Sequence, residues 1–328
     1  MTTLEPVDKV EVYVLLDNVT DNLSSVPAFV ETEFAALGRR RRGKWVLGGS
    51  CLCCAAHGLS CLITAHRGTL KHTILFDTGP EDRTFEQNVS RLDVDLGPVE
   101  TIVLSHGHWD HGGAVLRALD LIRDRNGGHE IPYYAHPDMF WTRALKLPNG
   151  TMVPMQDVPT IDELTAHGAR VVSTIEPQAI LDNLIFVSGE IPRVIPFERG
   201  FPEQHRRTSD GRGWEPDPLT MDERFVAVNV ANKGLILFTA CSHAGVINVL
   251  KHAKACFPDL PLHGVVGGLH LAGANEQIIP QTVDAMRAFD LAVIAAGHCT
   301  GWRAMAALTH AFGDKRLAPL AVGKRYTF

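Results

Sequence analysis

The sequence predicts an α/β protein in which two β-sheets pack face to face and helices cover their outer faces. Three observations predict it. A mostly β stretch followed by a helix occurs in the first half of the chain and again in the second, and two stacked sheets would bury both sets of strands. The 328 residues are 45% hydrophobic and 21% charged, a balance that supports a full core. Loops carrying His follow several apolar runs, and strand ends at one sheet edge can converge in space although distant in sequence.

Each element follows from local pattern. VEVYVLL (10–16) alternates and is rich in β-formers, so it is a strand. Residues 17–50 carry Asn, Ser, Pro, Gly and the run Arg39, Arg40, Arg41, Arg42, and form a long excursion. LSCLITA (59–65) and HTILFDTG (72–79) are two strands joined by a turn at 66–69. VETIVLSH (99–106) is a buried strand by its continuous apolar run, and residues 114–123 have helical spacing. IPYYAH (131–136) is a short strand and 137–145 a helix; ARVVSTI (169–175) and DNLIFVSG (182–189) are further strands. Residues 191–223 are dense in Pro, Gly and charge, cannot form a core alone, and make a surface loop or lid. RFVAVNV and GLILFTA form a hairpin across 231–234. Helix and strand then alternate: VINVLKHAKACF, LHGVVGG, a helix near 276–289, LAVIAAG, and a helix near 302–312. No short repeat is present, and the expectation is one domain over 1–328 with excursions at 17–50 and 191–223.

The formal net charge of −6 gives no general reason to expect nucleic acid or an anionic membrane as partner. The one Arg run is short and lacks interleaved aromatics, which disfavours RNA processing. No basic leader precedes an early apolar run and no apolar stretch is long enough to span a bilayer. Seven cysteines are an odd number, with Cys51, Cys53 and Cys54 crowded together, so thiols buried or bound to metal in a reducing cytoplasm are expected.

Residues 105–113 read SHGHWDHGG, between a strand and a helix. His106 and His108 lie two apart and share a face in extended backbone, which suits one cation. Asp110 and His111 follow where the chain turns and can aim at a second. Gly107, Gly112 and Gly113 let the backbone pass close to the metals. Imidazole and carboxylate donors favour Zn2+, with Mn2+ or Fe2+ as alternatives. The bland alternative is a solvated His-rich turn with Asp110 capping the next helix. Three other strand ends carry comparable residues: Asp77 in FDTG, Cys241 and His243 in TACSHAG, and His298 in GHCTG.

H-x-H-x-D-H, an upstream F-D-T-G and a downstream G-H at a strand end resemble the metallo-β-lactamase-fold hydrolase superfamily. HGLS (57–60), SGEIPR (188–193), CSHAG (241–245), GGLHL (267–271) and GHCTG (297–301) are similar to a subgroup associated with dihydropterin-ribofuranosylaminobenzene-phosphate synthases. The resemblance implies an αββα sandwich of two mixed sheets flanked by helices. It implies that His106 and His108 hold a first ion, that Asp110, His111 and His298 hold a second, and that Asp77 orients the HGHWDH loop. Two positions depart from the family's commonest pattern. Glu190 stands where a His after Gly usually supplies the third ligand of the first ion; it is either the replacement ligand or a salt-bridge partner of Arg193 or a loop Arg. Cys241 stands at the bridging aspartate, as a ligand or as a buried structural thiol, with His243 able to ligate instead. One ion or two is left open.

His270 in GGLHL either binds substrate and stabilises charge at the reacting oxygen, or is a core histidine. His57 is expected to be structural. Cys51, Cys53, Cys54 and His57 lack the paired C-x-x-C spacing of a zinc cluster. The Arg run is a solvated face or an anion clamp, and Trp302 a pocket wall or a packing residue. The resemblance implies a hydrolase in which a metal-bound hydroxide cleaves an ester, lactone, thioester or phosphoester, with Asp110 orienting the nucleophile. The expected substrate is a small molecule, phosphorylated or heterocyclic, with Arg193, Arg199, Arg206 and Arg207 in the lid to meet a phosphate. The alternatives are a methanopterin-type synthase displacing pyrophosphate and a metal-binding regulatory relative without turnover.

Overall fold

Strand alternation sorts apolar side chains onto two faces of each sheet, and the three resulting clusters define the layers. The computed structural model describes residues 3–40 and 46–328, with the side chains of residues 39 and 40 left out; the Arg run at 39–42 therefore lies outside the described residues, apart from the backbone of its first two members. An eight-stranded sheet has the order Ala169–Ser173, Ile131–Ala135, Val99–Val103, Leu70–Phe76, Ser60–Arg67, Lys9–Leu16, Arg325–Thr327, Val30–Glu31. A second sheet runs Gln178–Ile180, Ile185–Val187, Phe225–Val230, Gly234–Thr239, Leu262–Gly268, Val293–Gly297, with Pro6–Val7 paired to Phe225–Val230.

In Lys9–Leu16 the even positions Val10, Val12 and Val14 enter the layer between the sheets, where they meet Val226, Val228, Ile236 and Phe238 from the facing sheet. The other face of the first sheet, with Leu75, Ile102 and Tyr133, is covered by helices Asp82–Arg91 and Val115–Arg123 through Phe85, Val89, Leu119 and Ile122. Phe225, Leu235, Leu237 and Ile294 on the outer face of the second sheet are covered by Val246–Cys256, Ile279–Met286 and Trp302–Phe312. The layering is the αββα sandwich. No helix among the described residues is long and apolar enough to cross a membrane.

Two expectations fail in the same place. Residues 137–145 are not one helix: a single 3-10 turn, Pro137–Phe140, gives way to strand Arg143–Lys146. Residues 191–223 are not wholly irregular, because Gln204–Arg207 and Trp214–Pro216 join Arg143–Lys146 and Met152–Pro154 in a separate four-stranded sheet. The pairing spans about sixty residues of chain, out of reach of a local pattern.

Gly234–Thr239, Leu262–Gly268 and Val293–Gly297 run parallel, so their C-terminal ends share one edge. Leu70–Phe76 and Val99–Val103 are likewise parallel. The residues that leave these ends turn sharply: Asp77 (φ 58°), Ser242 (φ 61°), His270 (φ 44°) and His298 (φ 48°) all adopt the left-handed conformation. Each such non-glycine residue costs on the order of 1–3 kcal/mol and persists only where its surroundings hold it.

Candidate metal centre

Five loops meet at this rim, and four of them supply donor atoms to one buried cluster. Its groups, with donors lying within 4.8 Å of one another, are His106–His108–His243, His106–His111–Cys241, Cys241–His243–His270, Cys241–His298–Cys299 and Asp110–His111–His298. Cys241 belongs to three of these groups and so sits at the hub. Its Sγ lies 3.3 Å from His111 Nε2. Asp110 Oδ2 lies 3.5 Å from His111 Nε2 and 3.4 Å from His298 Nε2. Two donors about 2.1 Å from one tetrahedral ion stand roughly 3.4 Å apart, so these separations match the edges of a coordination polyhedron.

Outer partners hold the imidazoles by one nitrogen and leave the other facing the cluster. Ser105 Oγ lies 2.9 Å from His106 Nδ1, Gln204 Oε1 accepts from His108 Nε2 at 2.5 Å, Asp77 Oδ2 accepts from His111 Nδ1 at 2.7 Å, and Asn18 Oδ1 accepts from His298 Nδ1 at 3.0 Å. This is how proteins fix the tautomer and aim of metal-binding histidines. Among the described residues, His243 has no hydrogen-bond partner on either ring nitrogen, and the buried His298 Nε2 and His270 Nδ1 also make no hydrogen bond. A buried polar atom without a partner is costly; convergent imidazole, carboxylate and thiol donors with free nitrogens fit a divalent cation.

The comparisons agree with this geometry. Residues 58–195 match the metallo-beta-lactamase superfamily. A 7,8-dihydropterin-6-methyl-4-(beta-D-ribofuranosyl)-aminobenzene-5'-phosphate synthase of Methanocaldococcus jannaschii is 30% identical over 76% of this chain and 82% of its own. The chain belongs to the metallo-beta-lactamase superfamily. An uncharacterised protein of the same organism is 31% identical over 78% of this chain and 88% of its own. The crystal structure of a metal-dependent hydrolase of the beta-lactamase superfamily superposes with a TM-score of 0.68 at 20% identity, over 96% of this chain and 98% of that one, a likeness of fold.

Within this superfamily fold, the rim brings together His106, His108, Asp110, His111, Cys241, His243, His270 and His298. Glu190 is a correction. Its backbone N–H donates to Ile175 O, which ties it to a neighbouring loop, and its 41% exposed carboxylate pairs with His136 Nε2 at 3.2 Å, outside every donor group. The place beside His106 and His108 is taken by His243 instead. Asp77 is fully buried and accepts from Ser105 N and Ser105 Oγ, both at 2.7 Å, as well as from His111. The glycines serve a different end from the one expected. A Cβ on Gly107 would strike Met139 O and the Arg143 guanidinium, and one on Gly113 would strike Pro80 O, so close chain packing is what excludes side chains there.

Several functional contacts had no signal in the sequence. Gln204 and Asn18 lie in segments with no periodicity, and their roles depend on where the chain returns. The Gly107 peptide is clamped from both sides: its N–H donates to Asp222 Oδ2 at 2.8 Å, and Arg143 donates to its carbonyl at 3.0 Å and to Asp222 at 2.8 Å. The buried Glu223 carboxylate accepts from His243 N and Ala244 N at 2.7 and 2.6 Å, holding the CSHAG loop. His57, expected to be structural, has its Nε2 3.4 Å from Asp110 Oδ2 and is 59% exposed at the mouth. Cys51, Cys53 and Cys54 join no donor group among the described residues. Trp302 is 72% exposed and does not wall the cleft.

Burial governs the electrostatics. It pushes His106 and His243 well down, reinforced by neighbouring imidazoles, and lowers His108 and His298 to about 4. Burial also opposes charge on His111, but the Asp110 and Asp77 carboxylates outweigh it and raise this imidazole to about 10. Burial raises Asp110, yet His111 and then His298 overcome it and hold its carboxyl well below the usual range. Most of the imidazoles are thus neutral at pH 7, the form that ligates.

A cleft of about 570 Å³ opens over the cluster, walled by Trp109, Leu145, Met155, Phe201 and Pro202, with His57, Asn18 and Asn275 as polar lining. Phe201 stacks on His243, ring centroids 5.7 Å apart, and so shields that ring from water. Phe201, Pro202 and Glu203 come from the 191–223 segment, which therefore builds one wall.

Proposed function

We propose that this protein is a metal-dependent hydrolase that cleaves an ester, lactone, thioester or phosphoester bond of a small molecule. The observation that carries this reading is the buried donor cluster, with unpartnered imidazole nitrogens, at the floor of an open cleft. His106, His108 and His243 would hold one divalent cation, and Asp110, His111 and His298 a second, with Cys241 between them. Zn2+ fits this donor chemistry best, and such ions supply Lewis acidity and lower the pKa of water.

The chain's own residues do the rest. Asp110 Oδ2 faces His57, His111 and His298 and orients the nucleophile; His57, at the solvent edge of the same carboxylate, is placed to pass a proton outward. His270, 4.2 Å from His243 between ring centroids, lies where it can stabilise charge on the oxygen under attack. Apolar residues dominate the wall, and its lining includes no Lys or Arg among the described residues. Three of the four arginines expected to meet a phosphate are otherwise engaged: Arg193 donates to Leu219 O and Thr220 O, Arg206 pairs with Glu215, and Arg207 lies over Trp214, while the exposed Arg199 is not part of the cleft lining. This supports an uncharged scissile group more than a phosphate-rich one.

The second reading, a synthase that displaces pyrophosphate from a phosphorylated heterocycle, is favoured by the M. jannaschii relative. Assaying lactone, thioester, ester and phosphodiester substrates beside a pyrophosphate-release assay separates the two. The hydrolase reading expects chelator-sensitive turnover of at least one hydrolysable class and no pyrophosphate release. Pyrophosphate release without hydrolysis, or turnover indifferent to chelator, would overturn it.

A further inference from the structure

Cys299 is the one thiol beside the cluster that none of the roles above uses. Its Sγ lies 3.4 Å from Cys241 Sγ, and both sulfurs line the cleft wall. A disulfide would bring them to about 2.05 Å, so they are not bonded. Two thiolates about 2.3 Å from one zinc ion stand roughly 3.4–3.8 Å apart, for angles from about 95° to tetrahedral, and the observed separation falls at the lower end of that range. The third member of the group, His298, has a ring nitrogen within 4.8 Å of both sulfurs, and its buried Nε2 makes no hydrogen bond, with Asp110 Oδ2 3.4 Å away. Its ring is held from the far side by Asn18, and its backbone N–H donates to the buried Asp17 carboxyl at 2.9 Å. A thiol–thiol hydrogen bond alone would explain the sulfur contact but would leave that nitrogen with no hydrogen bond.

We propose that Cys299 is a metal ligand, and that with Cys241 and His298 it forms a two-sulfur, one-nitrogen face selecting a thiophilic divalent cation. This rests on the metal-centre reading above and extends it. His298 is shared with the Asp110–His111–His298 group, so the thiol pair widens the donor set at that end of the cluster. Gly268 makes room for it, since a Cβ there would stand 2.8 Å from Cys299 Sγ. Soft thiolates favour Zn2+ and Co2+ over Mn2+, whereas a site of imidazole and carboxylate alone discriminates far less. The neighbouring glycine-flanked loop, Gly297 to Gly301, is thus a two-ligand strand end.

The test uses the full chain, stripped of metal under reducing conditions and reloaded with Co2+. The sulfur-to-cobalt charge-transfer absorption reads thiolate ligation directly, without any assay of turnover. The wild type is expected to show the band; Cys299→Ser and Cys241→Ser each lose roughly half of it, and the double variant loses it while still binding cobalt through imidazole and carboxylate. Cys299→Ser should also narrow the Zn2+ over Mn2+ preference by about tenfold or more in competition. Cys299→Ala, which removes the donor without adding a hydroxyl, should match Cys299→Ser. Zinc-edge X-ray absorption of the wild type needs no variant and should detect sulfur scatterers, in greater number than in Cys299→Ser if that variant folds. An unchanged band and preference in both Cys299 variants would overturn this proposal and leave the metal centre standing. A wild type that binds no cobalt would overturn the metal centre itself, and this proposal with it.

Discussion

Replacing Asp77 tests whether one buried carboxylate holds the ligand loop in place. It accepts three hydrogen bonds, each 2.7 Å long, from Ser105 N, Ser105 Oγ and His111 Nδ1, and it is wholly buried. A hydrogen bond to a charged group contributes about 1.5–3 kcal/mol, but two of these donors belong to one residue and will not add independently. Removing one partner of a buried charged pair costs about 3–5 kcal/mol. Asp77→Ala, which also loses a residue type tolerant of φ 58°, should therefore destabilise by roughly 4 kcal/mol. Asp77→Asn keeps the shape and the left-handed tolerance but offers one oxygen where three donors converge; a loss of about 2 kcal/mol follows. Both variants should weaken zinc binding about 10–100-fold, because the His111 ring is no longer oriented. Urea denaturation midpoints and zinc competition measure the two effects separately. Asp77→Asn with wild-type stability and wild-type zinc affinity would refute the assigned role.

Three further outcomes are expected. Arg143→Met should cost about 3–5 kcal/mol by leaving Asp222 unpaired in the interior, and urea denaturation checks this; a loss under 1 kcal/mol would contradict the clamp on Gly107. His72 bridges Glu100 at 2.9 Å and Asp182 at 3.1 Å. Burial lowers its pKa, but hydrogen bonds to these carboxylates outweigh that and raise it above 6.5. Its folded value exceeds its unfolded one, so the stabilisation is complete below pH 6.5 and fades as pH rises through the folded value. The stability gap between wild type and His72→Gln should therefore shrink from pH 6 to pH 9, whereas a constant gap would show that His72 is not charged. Asp110→Asn should lower turnover of a responsive substrate more than metal content, read by elemental analysis on the kinetic samples; the reverse order would make Asp110 chiefly a ligand.

The core strands were legible because each buries one or both faces. Val10, Val12 and Val14 alternate, and Val226, Val228 and Val230 do the same within a wholly buried strand. The H-x-H-x-D-H run was legible because its donors are close in sequence, and His298 because a strand end announced it. What was missed depends on distant chain. Helix Asp82–Arg91 buries Phe85 and Val89 amid eight other residues, mostly polar, and starts at a Glu81 cap, a weak periodic signal. Arg143–Lys146 is a strand only because Gln204–Arg207 and Met152–Pro154 pair with it. Glu190 sat at a family position but is drawn off by Ile175 and His136, and His243 fills the gap from another loop. Gln204 on His108 and Asn18 on His298 are properties of the assembled rim and not of any local run.

Bound metal per chain, measured by elemental analysis after zinc loading and exhaustive dialysis, is the sharpest test of the metal centre when wild type is set beside His108→Ala and His298→Ala. The wild type should retain one to two zinc ions and each variant clearly fewer, with the folded far-UV spectrum kept. A folded wild type that retains no zinc, or variants that retain all of it, would rule out a metal centre built on these histidines.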